Sequence, residues 1–131
     1  MFEGFQNRSE AGKILAAKLE NLVRQAGAIV LALPRGGVPV AFEVARRLDA
    51  PLDVLIVRKL GVPGQEEFAF GAIASGGVRV FNEEIVRALR LPESVIERVT
   101  AGERVELERR EKLYRGTRPL PQLRGRTVVI V

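Results

Sequence analysis

The feature that most narrows the possible folds is an apolar run, residues 28–33 (Ala-Ile-Val-Leu-Ala-Leu), that passes directly into Pro34-Arg35-Gly36-Gly37. The run is too short for a helix and is bounded by glycines, so it reads as a strand buried on both faces. Behind it, Val38, Ala41, Phe42, Ala45 and Leu48 recur at helical spacing until Asp49-Ala50-Pro51 stops the pattern. Residues 52–57 form a second apolar run. Strand, helix, strand, with both strands apolar throughout, describes a parallel βαβ unit with a right-handed crossover.

Ligands of such sheets bind beyond the carboxyl ends of the strands. At the end of the first strand, glycines let a ligand approach the backbone, and a helix start leaves N–H groups unpaired at the positive end of its dipole. Arg35 adds a permanent charge at the same place. The second run ends at Arg58-Lys59. The sequence therefore predicts that a glycine loop and these cationic side chains converge on one edge of the sheet. The plainer alternatives are that Gly36 and Gly37 only allow close packing of helix on sheet, and that Arg58 and Lys59 are ordinary solvated charges.

Elsewhere, Ala11, Ile14, Leu15, Leu19, Leu22 and Val23 follow Ser9, predicting an N-capped amphipathic helix that ends near Gln25. Residues 60–67 read as a Gly- and Pro-containing loop, with Glu66 and Glu67 serving solubility. Residues 68–74 and 78–81 read as strands of a tight hairpin through Ser75-Gly76-Gly77. Asn82 is placed to cap a short helix over 83–90. Residues 93–115 form a charged helical segment with Glu106–Arg110, Glu108–Lys112 and Glu111–Arg115 in the favourable order. Such pairs stabilise by about 0.2–0.5 kcal/mol each, which describes a solvated helical face. Residues 118–125 are a Pro-punctuated turn, and 127–131 begin a third apolar strand. A buried parallel strand in that position lacks its crossover, so the chain is expected to be the front part of a longer domain.

With 131 residues, 47% of them hydrophobic, the chain is expected to form a single domain, 1–131, whose core needs no disulfides. There is no cysteine and no histidine. That excludes Ser-His and Cys-His nucleophiles, thiolate zinc and imidazole metal clusters, so no metal ligand is assigned. The net charge of +5 favours phosphate-bearing partners. Acids are interleaved with the bases, and with one tyrosine and no tryptophan for base stacking, direct nucleic-acid binding is not expected. No run approaches the roughly 20 apolar residues of a membrane helix, and the polar start is unlike a signal peptide, so a cytoplasmic location is expected. Scarce Met, absent Cys and many Arg-Glu pairs also suit a thermostable protein.

Together these pieces resemble the type I phosphoribosyltransferases, which move ribose 5-phosphate from phosphoribosyl pyrophosphate to an acceptor, usually a nucleobase. The resemblance rests on Leu31-Ala32-Leu33-Pro34-Arg35-Gly36-Gly37, on Val57-Arg58-Lys59, on Phe70-Gly71-Ala72 and on Gly125-Arg126-Thr127-Val128-Val129-Ile130-Val131. It implies an α/β fold with a central, mostly parallel sheet flanked by helices, a β-hairpin and a helical insertion. It implies that Arg35, Gly36 and Gly37 bind pyrophosphate, often around a non-proline cis peptide, that Lys59 meets the same group, and that Arg58 is a secondary candidate. Mg2+ carried by the substrate, a small-molecule acceptor and pairing into homodimers are further implications. The family's acidic, Gly/Thr-rich ribose-phosphate motif follows the third strand, so no residue here maps onto it and no catalytic base is assigned. The alternatives are a non-catalytic regulator of the same fold that binds a nucleotide or RNA, and a generic phosphate binder. The latter is disfavoured because neither a Gly-Lys-Ser/Thr phosphate loop nor a Gly-x-Gly-x-x-Gly fingerprint is present.

Overall fold

The apolar run does become a strand, and both of its neighbours are parallel to it. The computed structural model describes residues 4–22 and 27–131. Its elements are α1 (Arg8–Leu19), β1 (Ile29–Ala32), α2 (Gly37–Leu48), β2 (Leu52–Val54), β3 (Val57–Val62), β4 (Gln65–Ala74), β5 (Val78–Phe81), α3 (Glu83–Ala88), α4 (Glu93–Arg115) and β6 (Val128–Ile130). The chain divides into two compact units, one of Met1–Leu55 with Pro121–Val131 and the other of Ile56–Leu120.

The first unit holds a parallel sheet in the order β2-β1-β6, flanked by helices. Val30 stands opposite Leu52 on one side and opposite Val129 on the other. Every residue of β1 is buried, as a central parallel strand requires. Val30 and Ala32 pack with Ala41, Val44 and Ala45 of α2 and with Ala16 of α1. The helix ends where the sequence placed its stop, with Asp49 in a left-handed conformation donating its N–H to Ala45 and Arg46 carbonyls. Phe42, expected on the buried face, is exposed, and Glu43 is buried in its stead. The reason is α1, which lies along that side of α2.

α1 differs from expectation in its cap and its buried face. Asn7, not Ser9, is the N-cap and accepts the Glu10 N–H, while Ser9 donates from inside the helix to Glu43. Gly12 and Ala16 are the buried residues, whereas Ile14 and Leu22 are exposed. A Cβ on Gly12 would lie 2.8 Å from the Val40 carbonyl oxygen and 2.8 Å from Glu43 Cβ. Small residues thus make the helix contact that the apolar pattern assigned to large ones. The helix ends at Leu19; Val23 and Gln25 lie outside the described residues.

The second unit is an antiparallel sheet, β3-β4-β5, with α3 and α4. Two expectations are corrected by it. The second parallel strand stops at Val54 instead of Val57, and residues 60–67 are not a loop but the end of one strand and the start of the next. Leu55 N–H gives the last bond toward Ala32, after which Ile56 and Ser75 exchange bonds. From Val57 the chain alternates, burying Leu60 and Val62, and Pro63-Gly64 turns it back with Gly64 at φ 84°. The hairpin at Ser75-Gly76-Gly77 is as expected, with both glycines at positive φ.

α4 spans the predicted 93–115, and Asn82 caps α3 by accepting the Ile85 N–H. α4 is not merely a solvated face: Ile96, Thr100 and Leu107 are buried, and so is Arg115. The Arg115 guanidinium donates to Ser75 Oγ at 3.3 Å and to Glu111 at 3.0 Å. Among the described residues, no helix is long and apolar enough to cross a membrane.

Candidate functional site

The turn from β1 to α2 is built by two hydrogen bonds, Gly37 N–H to the Leu33 carbonyl and Val38 N–H to the Arg35 carbonyl. These bonds consume the N–H groups at the very start of the helix. The N–H groups of Arg35 and Gly36 have no partner among the described residues. The peptide joining Pro34 to Arg35 is cis, within the loop for which the resemblance implies such a bond. Arg35 is exposed and makes no ion pair among the described residues. The loop therefore presents donors without acceptors: the backbone N–H groups of Arg35 and Gly36 and the Arg35 guanidinium, since Gly37 and Val38 have spent theirs and Pro39 has none.

Its two glycines have different causes. Gly37 is demanded by packing, because a Cβ there would press into the Val131 carbonyl group, 3.1 Å from its carbon and closer still to its oxygen. That carbonyl is fixed, since it accepts the Leu33 N–H at 2.7 Å. Gly36 sits at φ −61°, ψ −31°, a conformation open to any residue. A Cβ there would find only the Arg8 guanidinium, 3.5 Å away at Nε and 3.6 Å at Nη2. Gly36 is thus a place where the backbone is left bare with no packing reason for it. The amides available to a ligand are those of Arg35 and Gly36, whereas the sequence pointed to Gly36 and Gly37.

Arg58 and Lys59 belong to the antiparallel unit, within β3, not to the tip of a parallel strand. Arg58 is half-buried and bound to Glu103 of α4 at 2.7 Å, so its charge is already matched. Lys59 stands opposite Ala72 and is exposed, without an ion pair among the described residues. It lines a cavity of about 610 Å³ together with Val57, Gly61 and Arg98. Arg98 is a cation that sequence reasoning overlooked, because its position on a charged helix marks it as surface. Among the described residues, no group of three or more His, Cys, Asp or Glu side chains could hold a metal ion.

In the antiparallel unit, Glu106 receives hydrogen bonds from both Arg109, at 2.7 Å, and Arg110, at 3.0 Å. Those bonds, that from Arg109 foremost, hold its carboxyl far below the usual range, at about 2. The same contact raises Arg109 above its ordinary value.

The α/β architecture with this parallel sheet is also that of a solved protein. The crystal structure of TT1426 from Thermus thermophilus matches at a TM-score of 0.85 and 45% identity, over 98% of this chain and 61% of that one. Two curated proteins of Mycobacterium tuberculosis, from strains H37Rv and CDC 1551, are each 52% identical to the chain over 127 residues. They carry the names "Putative phosphoribosyl transferase Rv0571c" and "Putative phosphoribosyl transferase MT0597". The match covers 97% of this chain and 28% of each relative, so the chain spans a little over a quarter of their length. No protein-family model matches the chain.

Proposed function

We propose that the chain carries the pyrophosphate-binding part of a type I phosphoribosyltransferase, one that transfers ribose 5-phosphate from phosphoribosyl pyrophosphate to a small acceptor, a nucleobase by the family's habit. The observation that carries this reading is the loop at 33–37 with its unpaired donors, in a chain 52% identical over 127 residues to two proteins named putative phosphoribosyl transferase. Pyrophosphate leaves the sugar as positive charge develops on C1′, so the task of this loop is electrostatic. The N–H groups of Arg35 and Gly36 and the Arg35 guanidinium receive the charge that builds on the departing group. By the family's habit magnesium would come with the substrate, held largely by the diphosphate's own oxygens.

The test is titration with inorganic pyrophosphate, followed by a panel of bases with phosphoribosyl pyrophosphate while released pyrophosphate is measured. A hydrogen bond to a charged group contributes about 1.5–3 kcal/mol, so Arg35→Ala weakens pyrophosphate binding by about tenfold or more. Unchanged pyrophosphate affinity in Arg35→Ala refutes the reading. Saturable RNA binding without turnover replaces it with a regulator of the same fold.

A further inference from the structure

We infer that Arg8, at the first position of α1, is a further ligand of the same anion, acting from outside the loop. The inference rests on the reading of the loop as a pyrophosphate site. Its starting point is distance: the Arg8 guanidinium lies where a Cβ on Gly36 would touch it, 3.5 Å from Nε, beside the bare backbone whose N–H is unpaired.

The side chain is brought there by the packing of α1 on α2. Gly12 removes the side chain that would hold the helices apart, allowing contact with Val40 and Glu43 one turn below. Ser9 Oγ donates to Glu43 at 3.1 Å, and Glu20 pairs with Arg47 at 2.9 Å. Arg8 beside Gly36, Gly12 beside Val40 and Glu20 beside Arg47 mean that the two helices run side by side in the same direction, with their N-termini together.

The electrostatics of that corner are one-sided. A cation at a helix N-terminus opposes the dipole, and here it stands beside the start of α2 and in the same corner as Arg35. Among the described residues Arg8 has no ion pair. Among the described residues, neither carboxylate of this helix pair's upper half pairs with Arg8: Glu10 accepts the Gln6 N–H, and Glu43 is held by Arg46 and Ser9. Two guanidinium groups without an ion pair and two N–H groups without a partner among the described residues form a corner whose natural complement is a compact multivalent oxyanion. A planar guanidinium fork grips a phosphate oxygen pair, which a lysine cannot do. Arg8 would thus hold the departing diphosphate from the side of α1 while Arg35 holds it from the loop.

The experiment is calorimetric titration of the folded chain with inorganic pyrophosphate for wild type, Arg8→Ala, Arg8→Lys, Arg35→Ala and Lys18→Ala. Lys18 is an exposed cation in the last turn of α1 and reports the effect of net charge alone. Arg8→Ala is expected to lose about tenfold in affinity, Arg8→Lys to recover part of it, and Lys18→Ala to stay within about twofold. The dependence of log affinity on log salt should flatten in Arg8→Ala, which loss of a structural residue would not cause. If Arg35→Ala loses affinity while Arg8→Ala matches wild type, the role of Arg8 is overturned and the loop reading stands. If wild type does not bind pyrophosphate, both fall.

Discussion

Replacing Gly36 and Gly37 one at a time by alanine separates a glycine kept for a ligand from one kept for packing. At Gly37 the new Cβ meets the Val131 carbonyl, and that residue cannot simply yield. Its N–H donates to Leu31 at 2.9 Å and its carbonyl accepts from Leu33 at 2.7 Å. Clearing the clash means displacing β6 from the start of α2 or stretching that second bond. Overpacking of this kind costs about 1–3 kcal/mol, and a weakened backbone bond adds up to about 1 kcal/mol. Gly37 is the first residue of α2, so alanine returns only a fraction of the roughly 1 kcal/mol that its propensity gives in a helix interior. Gly37→Ala should therefore lose about 1–3 kcal/mol. Gly36→Ala places its Cβ in ordinary contact with the end of a flexible arginine, at unstrained angles, so its stability should stay within about 0.5 kcal/mol of wild type. Urea unfolding followed by circular dichroism reads both. A Gly37→Ala protein as stable as wild type, or a Gly36→Ala protein that loses more than Gly37→Ala, refutes the assignment. With its fold intact, Gly36→Ala then reports on pyrophosphate binding alone.

Two further outcomes concern the antiparallel unit. Ser75→Ala removes the acceptor of the buried Ile56 N–H, 3.0 Å away, and one partner of Arg115, and should cost about 1–3 kcal/mol in denaturant unfolding; a loss near zero would contradict the geometry. Glu106 is held at about 2 by hydrogen bonds from Arg109 and Arg110, below its ordinary 4.5, so it stabilises the fold above about pH 4.5 and loses that contribution as pH falls toward 2. The small stability gap between wild type and Glu106→Gln should close across that interval, and a gap that persists at about pH 2 would show that the carboxylate is not the cause.

The parts of the fold that were legible in the sequence are those where one local pattern decides the outcome. The uniformly apolar run of β1, the Asn82 cap, the glycine pair at 76–77 and the charged periodicity of α4 each admit one structure. The errors came where two patterns abut or where a partner decides. Residues 52–57 read as one apolar strand with a loop at 60–67 behind it, because only pairing shows that Leu55 serves one sheet and Ile56 the other. The face of α1 was misjudged because apolar spacing rewards Ile14 and Leu22, whereas close helix packing selects Gly12 and Ala16. At the candidate site, Arg35 and the glycine loop were visible as strand-loop-helix chemistry. Which amides stay free was not, since that depends on Gly37 and Val38 turning their N–H groups back into the loop. Arg8 had no signal except the neighbouring glycine in its helix.

β1 receives β2 soon after it is made, but its other edge waits for β6, roughly a hundred residues further along the chain. During synthesis the hairpins of residues 57–81 can form from neighbours in sequence, while the most apolar strand stands half-dressed. Any product that stops short of Val128 would carry that bare edge permanently, and an uncovered apolar edge invites pairing with another chain. The arrival of β6 therefore moves the sheet's open edge off the wholly buried β1 and onto itself.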